Sequence, residues 1–287
     1  MSAIIAYDNL ADICALSSSS SLVPGFPLAA LQTRQLSTVC RSTSSDAGHR
    51  TLTVVVTRAG GFDPTERYLV GFFGVRPGAA YVSEVSYTPD GGATWTAIPF
   101  SLAGFFFTYG RALAVLNPPI PPAGPWDALR ITLKSVDTAD AHIDAGRLWL
   151  SRFIDFPTGC DATWSLGLND PGRLDMSAGQ QAYESRRERA RLLRMGFSAV
   201  PTPQAYACSD DGMTPLVDNM TYSGIYPCLY GLLESVGGTG ELVAMPRVEG
   251  DVFVDRACIY GHLAQPFEIR HRAGQYYETE LVVVEER

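Results

Sequence analysis

The chain has 287 residues and a formal net charge of −8. Hydrophobic residues make up 46% of it and charged residues 18%, which excludes a broadly disordered protein and leaves enough apolar side chains for a core. The acidic balance argues against nucleic acid or an anionic membrane surface as the main partner, since both require a basic surface, and no run reaches the roughly 18 apolar residues of a membrane span.

The N-terminal segment carries no basic residue before its apolar ones, and Asp8 and Asp12 interrupt them. This differs from a secretory signal, in which a basic region precedes an unbroken apolar stretch. We therefore expect mature sequence from the start, made and folded in a cytoplasm.

The first half of the chain predicts a β domain. The whole chain contains 27 glycines and 19 prolines, and this composition favours turns and strands over helices. Short strand-like runs stand at 50–57, 67–75, 84–98, 101–115, 127–136 and 142–156. The run 67–75 is apolar on both faces, as a central strand of a sandwich would be. The proline-rich stretch 117–126 predicts a rigid loop within the domain. These features favour an antiparallel β-sandwich or jelly roll over residues 1–156.

A hairpin is predicted at 84–98, "EVSYTPDGGATWTAI". Val85 and Tyr87 alternate on the way in, and Asp90-Gly91-Gly92 supplies a tight turn that needs positive φ. Such a hairpin suits a surface that binds a sugar, takes part in catalysis or packs against a neighbour.

The second half, residues 157–287, predicts a domain of the α+β class with few helices. Residues 226–236 favour a short helix that ends at Gly237-Gly238, and three later runs alternate as strands do. The segment 184–200, "ESRRERARLLRMGFSAV", is ambiguous, because its composition favours a helix and its alternation a strand.

Several of these segments resemble tail-tip and baseplate proteins of long-tailed bacteriophages (siphoviruses). The stretch "GFPLAALQTRQLSTVCRST" (25–43) is similar to the opening of a discoidin-like, galactose-binding-type jelly roll, with Cys40 where that family often has Trp. The hairpin 85–98 and "WDALRITLKS…AHIDAGRLWL" (126–150) resemble its later strands. Residues 163–200, followed by "ELVAMP", "CIYGHL" and "YYETELVVVEE", parallel the second half of those phage proteins and favour a strand at 186–199.

The resemblance implies a non-enzymatic virion component without a cofactor. The favoured role is a distal tail protein that forms a ring at the end of the tail tube, with a neighbouring baseplate subunit as the close alternative. The implied partners are further copies of the chain and the tail tube, hub and fibres. The implied location is the virion tail tip, assembled in the host cytoplasm.

No catalytic motif stands out. His49, His142, His262 and His271 lack metal-protease spacing, and Walker, Rossmann and G-x-S-x-G patterns are missing. His142 lies between Asp140 and Asp144, which suits either a metal or acid–base cluster or a polar turn before a strand. A glycan-cleaving enzyme would need two carboxylates facing each other across a sugar, which sequence alone cannot pair.

Two tryptophans are candidate glycan contacts. Trp95 and Trp126 lie close to predicted loops, where an aromatic ring can stack on a sugar, whereas Trp149 alternates within a strand and is expected in the core. They support the alternative function, a carbohydrate-binding module for host surface glycan.

The densest positive cluster is a candidate subunit interface, formed by Arg186, Arg187, Arg189, Arg191 and Arg194. In an acidic, ring-forming chain these arginines would meet the carboxylates of a neighbouring copy. A nucleic-acid contact and an ordinary solvated face are the alternatives.

The six cysteines lack C-x-x-C spacing, which argues against a zinc finger. We expect reduced, mostly buried thiols without metal. The alternative is a four-thiolate site of Cys160, Cys208, Cys228 and Cys258.

Overall fold

The computed structural model is mainly β, as the sequence predicts, with antiparallel sheets and few helices. The residues that the structure describes are 2–76, 80–101, 110–116, 125–156, 159–161, 164–169, 173–176, 182–185, 190–206, 227–237, 240–248 and 257–286. None of the helices in these ranges is both long enough and apolar enough to cross a bilayer.

The described residues group into two compact units. One contains Ala6–Phe153, and the other contains Met1–Ile5, Ile154–Val248 and Ala257–Glu286. The first strand of the chain therefore belongs mostly to the second unit.

The first half of the chain consists of short strands and two 3-10 helices. The helices span Leu10–Ile13 and Leu28–Gln32. The strands are β1 (Ser2–Tyr7), β2 (Ala15–Ser18), β3 (Cys40–Ser42), β4 (Ser45–Asp46), β5 (His49–Phe62), β6 (Tyr68–Phe73), β7 (Ala80–Thr88), β8 (Thr96–Ala97), β9 (Phe100–Ser101), β10 (Arg111–Leu116), β11 (Trp126–Ser135), β12 (Ile143–Ala145), β13 (Arg147–Ser151) and β14 (Phe153–Phe156).

The first unit is a β-sandwich with two main antiparallel sheets, and β12 pairs with β3 in a small two-stranded sheet. One sheet has the order β2-β5-β11-β7-β8, with β4 beside β5, and the other has the order β13-β6-β10-β9. In β11 the alternation predicted from the sequence is confirmed, because Leu129, Ile131 and Leu133 are fully buried while Arg130, Thr132 and Lys134 are partly exposed. The proline-rich loop predicted before β11 lies, up to residue 124, outside the described residues.

Apolar side chains from both sheets form one core between them. Strand β6 is buried on both faces, as its continuous apolar run predicts. Trp149 is confirmed as a core residue, since it is 0% exposed and its indole N–H donates to the Ser151 hydroxyl over 2.8 Å. Gly71 in β6 has no room for a side chain, because a Cβ there would lie 2.3 Å from the Ala112 carbonyl oxygen.

The predicted hairpin at 84–98 is confirmed as β7, a turn and β8. Tyr87 pairs with Thr96, and Gly91 and Gly92 adopt φ of 67° and 102°. The Asp90 carboxylate accepts hydrogen bonds from the Thr94 amide and hydroxyl at 2.9 and 2.7 Å.

The second half of the chain contains two α-helices among the described residues, α1 (Thr202–Tyr206) and α2 (Leu229–Val236). Its strands are β15 (Ser165–Asn169), β16 (Arg173–Met176), β17 (Ala182–Ser185), β18 (Ala190–Pro201), β19 (Leu242–Val248), β20 (Ile259–Leu263), β21 (Arg270–Ala273) and β22 (Tyr276–Glu285). The helix predicted to end at Gly237 is confirmed, since α2 stops there with a glycine φ of 52°.

The second unit is built on an eight-stranded sheet with the order β14-β1-β19-β20-β22-β18-β15, and β21 pairs with β22. The ambiguous segment 184–200 is a strand over Ala190–Pro201, as the resemblance implies, and residues 186–189 lie outside the described residues. One face of β18 and β22 is apolar and buried, with Leu193 opposite Val283 and Met195 opposite Leu281.

Strand β15 forms one edge of this sheet and pairs with β18 from Ser165 with Arg194 to Asn169 with Ala190. Strands β16 and β17 form a two-stranded sheet. Within the described residues, β16 and β17 pair only with each other.

Candidate functional site

A polar groove in the second unit is a candidate site among the described residues. It has a volume of about 810 Å³ and lies between the segment 265–268, the start of β21 and the paired strands β18 and β22. We call it the charged groove, and its polar lining residues are Asp161, Arg194, Ser198, Gln265, Glu268, Arg270, Glu278, Thr279 and Glu280.

The strand geometry explains why carboxylates line this groove. Along β22, Glu278 and Glu280 alternate with Thr279 and Leu281, which are buried. Since successive strand residues point to opposite faces, the two glutamates project away from the core. On β18, Gly196 contributes no side chain, and this leaves open space beside the glutamates.

Two of the acidic residues that line the groove already form ion pairs with arginines of the same chain. Arg194 lies 3.2 Å from Glu280, and Arg270 lies 2.8 Å from Glu268. All four side chains are exposed by 57% to 74%, so water screens both pairs. Hydrogen bonds from Arg270 to Glu268 raise the pKa of that arginine. These carboxylates are solvated and paired rather than buried.

The groove retains an excess of negative charge. Its lining includes four acidic residues and two arginines. One acidic residue, Asp161, accepts hydrogen bonds from the Ser198 amide and hydroxyl at 3.2 and 2.7 Å, which fixes its carboxylate in place. Small-molecule pockets of similar volume are mostly apolar. This polar lining instead suits a cationic segment of protein that brings its own hydrogen-bond donors.

The arginines predicted to form a subunit interface have different environments in the structure. Arg194 is exposed and lines the charged groove. Arg191 is only 2% exposed, and its guanidinium is ion-paired with Glu285 of the same chain. A buried arginine that is ion-paired within its own chain is not available to another chain. Arg191 is therefore not a contact residue between subunits. Arg186, Arg187 and Arg189 lie outside the described residues.

The two candidate glycan tryptophans also differ. Trp126 is 0% exposed and stacks on Tyr87 with a ring separation of 4.8 Å, so it is a core residue and cannot meet a sugar. Trp95 is half-buried, and the Arg130 guanidinium lies over its ring at 4.7 Å. One ring face of Trp95 is therefore already occupied.

Of the two aspartates around His142, Asp144 forms a structural ion pair with Arg41. Asp144 is 3% exposed and accepts two hydrogen bonds from the Arg41 guanidinium, at 2.7 and 2.8 Å, which joins β12 to β3. The His142 Nε2 atom is 3.8 Å from Asp144 Oδ2. Within the described ranges, no three histidine, cysteine or acidic side chains form a group that could hold a metal ion.

The cysteines that the structure describes are free thiols, and four of these five are buried. Burial raises the pKa of the Cys40 thiol to about 12 and that of Cys160 to about 11. Cys228 is the N-cap residue of α2, and its sulfur accepts a hydrogen bond from the Gly231 amide. Cys208, one member of the alternative four-thiolate set, lies outside the described residues.

Sequence reasoning did not identify the charged groove. Its residues come from three separate parts of the chain, around Asp161, along β18 and within 265–280. The one local signal is the alternation of glutamates with apolar residues at the start of β22, which predicts a solvated strand face. The partners of that face depend on strand pairing.

No protein-family model matches the chain, and no curated protein matches it in sequence.

Proposed function

We propose that the protein is a structural component of a long-tailed bacteriophage tail tip, with a distal tail protein that forms a ring at the end of the tail tube as the favoured role. The N-terminal sandwich would be its discoidin-like domain. The second unit would make the contacts to neighbouring copies and to the other tail proteins.

The observation that carries this proposal is the placement of the phage-like segments. The hairpin 85–98 lies on β7 and β8, "WDALRITLKS" forms β11, and "IDAGRLWL" forms β12 and β13. The segments therefore follow one another as strands of one antiparallel sandwich. This order supports the resemblance, since a chance likeness of short motifs does not require them to share a fold.

The state of the groove carboxylates supports a role without catalysis. A glycosidase holds two carboxyl groups on either side of a sugar and raises the pKa of one by burying it. Glu268 and Glu280 are instead exposed, and each is paired with an arginine of its own chain. Such groups suit contacts between proteins.

The alternative, a carbohydrate-binding module, receives less support. Trp126 is buried, and Arg130 covers one face of Trp95. A sugar-stacking platform needs an open aromatic face, and neither candidate offers a fully open one.

The test is negative-stain electron microscopy of the purified full-length chain, combined with a glycan-binding array. Closed rings of uniform diameter, without glycan binding, are the expected result. A monomer that binds one glycan class, with binding lost in Trp95→Ala, would favour the alternative instead.

A further inference from the structure

The first strand of the chain is a central strand of the second unit. Strand β1 lies between β14 and β19 in the eight-stranded sheet and is hydrogen-bonded to both. Its residues 3–7 are at most 5% exposed. A strand with this position and burial contributes hydrogen bonds on two edges and apolar packing on its faces. The second unit therefore depends on β1, although the chain that follows directly, Ala6–Phe153, belongs to the first unit.

The link between β1 and the first unit is very short. Only Asp8 and Asn9 separate β1 from the first 3-10 helix. The Asn9 side chain is held on β13, because its amide group donates to the Leu148 carbonyl over 2.8 Å and accepts from the Leu150 amide at 2.9 Å. Asp8 is thus the one residue between two fixed positions, β1 in the sheet and Asn9 on β13.

Asp8 has a backbone conformation that few residues other than glycine adopt. Its φ is 55°, and among the described residues Ala47 is the only other non-glycine residue with positive φ. This left-handed conformation is unfavourable because Cβ lies too close to a backbone carbonyl oxygen, and aspartate tolerates it better than most residues but less well than glycine. The link is therefore strained when β1 lies in the sheet of its own chain.

We propose that β1 is exchanged between two copies of the chain. In the exchanged dimer, β1 of each copy lies between β14 and β19 in the second unit of the other copy. The partner is a second copy, and the surface that binds it is the strand position that β1 occupies in the structure. This inference goes beyond the proposed function and does not depend on it.

The occupant of this position follows from its contacts. The position between β14 and β19 is the same in every copy, so β1 of a second copy makes the same hydrogen bonds and buries the same side chains. A strand of another protein would have to reproduce those contacts on both edges. The two forms of the chain then differ at the link, where Asp8 can adopt an extended conformation after exchange. Short, strained links favour exchange for this reason.

The experiment measures dimer formation by size-exclusion chromatography with multi-angle light scattering. The full-length chain is first refolded from urea at a series of concentrations, so that each β1 can enter its own second unit or that of another copy. Asp8→Gly relieves the strained link and is expected to raise the dimer dissociation constant at least about fivefold, since two links count in each dimer. Asp8→Val adds strain and should lower it by a similar factor.

Two control variants isolate the effect of the link. Ala47 has a φ of 49° in the turn between β4 and β5, so Ala47→Gly relieves the same kind of strain away from the link. Asp8→Asn removes the charge of the link residue and keeps a side chain that tolerates the left-handed conformation. Both controls should dimerise like the wild type.

A second measurement distinguishes exchange from a dimer of closed chains. Ile4→Asp places a charge in β1, and Leu281→Asp places one in β22, at side chains that are at most 1% exposed. Each variant alone should lose the fold of its second unit. In an exchanged mixed dimer, the intact β1 of the Leu281→Asp chain enters the otherwise intact second unit of the Ile4→Asp chain. The two variants refolded together should therefore recover far-UV circular dichroism that each lacks alone.

Each outcome bears on the inference. A wild type that stays monomeric after refolding at every concentration would overturn it, as would equal dissociation constants in Asp8→Gly, Asp8→Val and the wild type. A mixture of Ile4→Asp and Leu281→Asp that recovers no signal would also overturn it. Rings that form equally in every Asp8 variant would overturn it and leave the proposed function standing. Exchanged dimers without any larger species would support it and count against a ring-forming tail protein.

Discussion

Removing Arg191 should destabilise the second unit rather than weaken contacts between copies. Its side chain is 3% exposed, that of its partner Glu285 is 9% exposed, and the Glu285 carboxylate also accepts a hydrogen bond from the Arg191 amide at 3.2 Å. In Arg191→Leu the Glu285 carboxylate stays buried without its cation. Removal of one partner from a buried ion pair costs about 3–5 kcal/mol of unfolding free energy.

The size of this effect follows from the burial of both groups. At the surface, water screens an ion pair, and its net value is about 0–1 kcal/mol. Arg194 provides the matched control, because it lies on the same strand and pairs with Glu280, yet both side chains are more than half exposed. Arg194→Leu should therefore cost under about 1 kcal/mol.

The assay is urea unfolding, followed by far-UV circular dichroism, of the wild type and four variants. These are R191L, E285L, the double variant R191L/E285L and the control R194L. The double variant should be more stable than R191L, because it leaves no buried unpaired charge and replaces the pair with apolar side chains. A loss under about 1 kcal/mol in R191L, together with a smaller oligomer, would refute the internal assignment of Arg191.

Three further predictions concern the sandwich. Trp126→Ala should lower the unfolding free energy by about 3–5 kcal/mol in urea titrations, since it empties a buried site against Tyr87, and a loss under about 1 kcal/mol would contradict that burial. Gly71→Ala should lower it by about 1–3 kcal/mol in the same assay, because the added methyl group meets the Ala112 backbone, and an unchanged midpoint would show that the strand can shift. Hydrogen bonds from Thr88 and Thr94 lower the pKa of Asp90 to about 2, so its stabilising contribution is complete above the unfolded pKa of about 4 and is lost as the pH falls towards 2. The urea midpoint should therefore fall less between pH 5 and pH 2.5 in Asp90→Asn than in the wild type, and equal falls would contradict this.

Local patterns predicted those parts of the fold that depend on local physics. The buried alternation of β11 and the stop of α2 at Gly237 follow from side-chain period and glycine conformation. The hairpin turn follows from the need for positive φ at Gly91 and Gly92. In each case the determining residues are neighbours in sequence.

Features that depend on pairing between distant segments could not be predicted in this way. Strand β1 lies between β14 and β19, and nothing in its own residues specifies those partners. Arg191 stands in an arginine-rich run that predicts a subunit interface, yet its position in β18 places it on the buried face with Glu285 on β22. Trp126 borders a proline-rich loop, but it is the first residue of β11 and points into the core.

The charged groove is another feature that local sequence patterns could not predict. Glu268 and Glu280 are separated in sequence from Asp161 by more than a hundred residues, and β21, β22 and β18 must pair before they share a surface. The arginine-rich run 186–194 is visible in the sequence, whereas the acidic groove became visible only with the fold.

The most direct test of the proposed function is to locate the protein in intact phage particles. Gold-labelled antibodies against the chain would be applied to particles released by the bacterial culture that produces it and viewed by electron microscopy. Labelling confined to the distal end of the tail is the result that the proposed function predicts. Particles without label, or label along the tail or on the head, would contradict it.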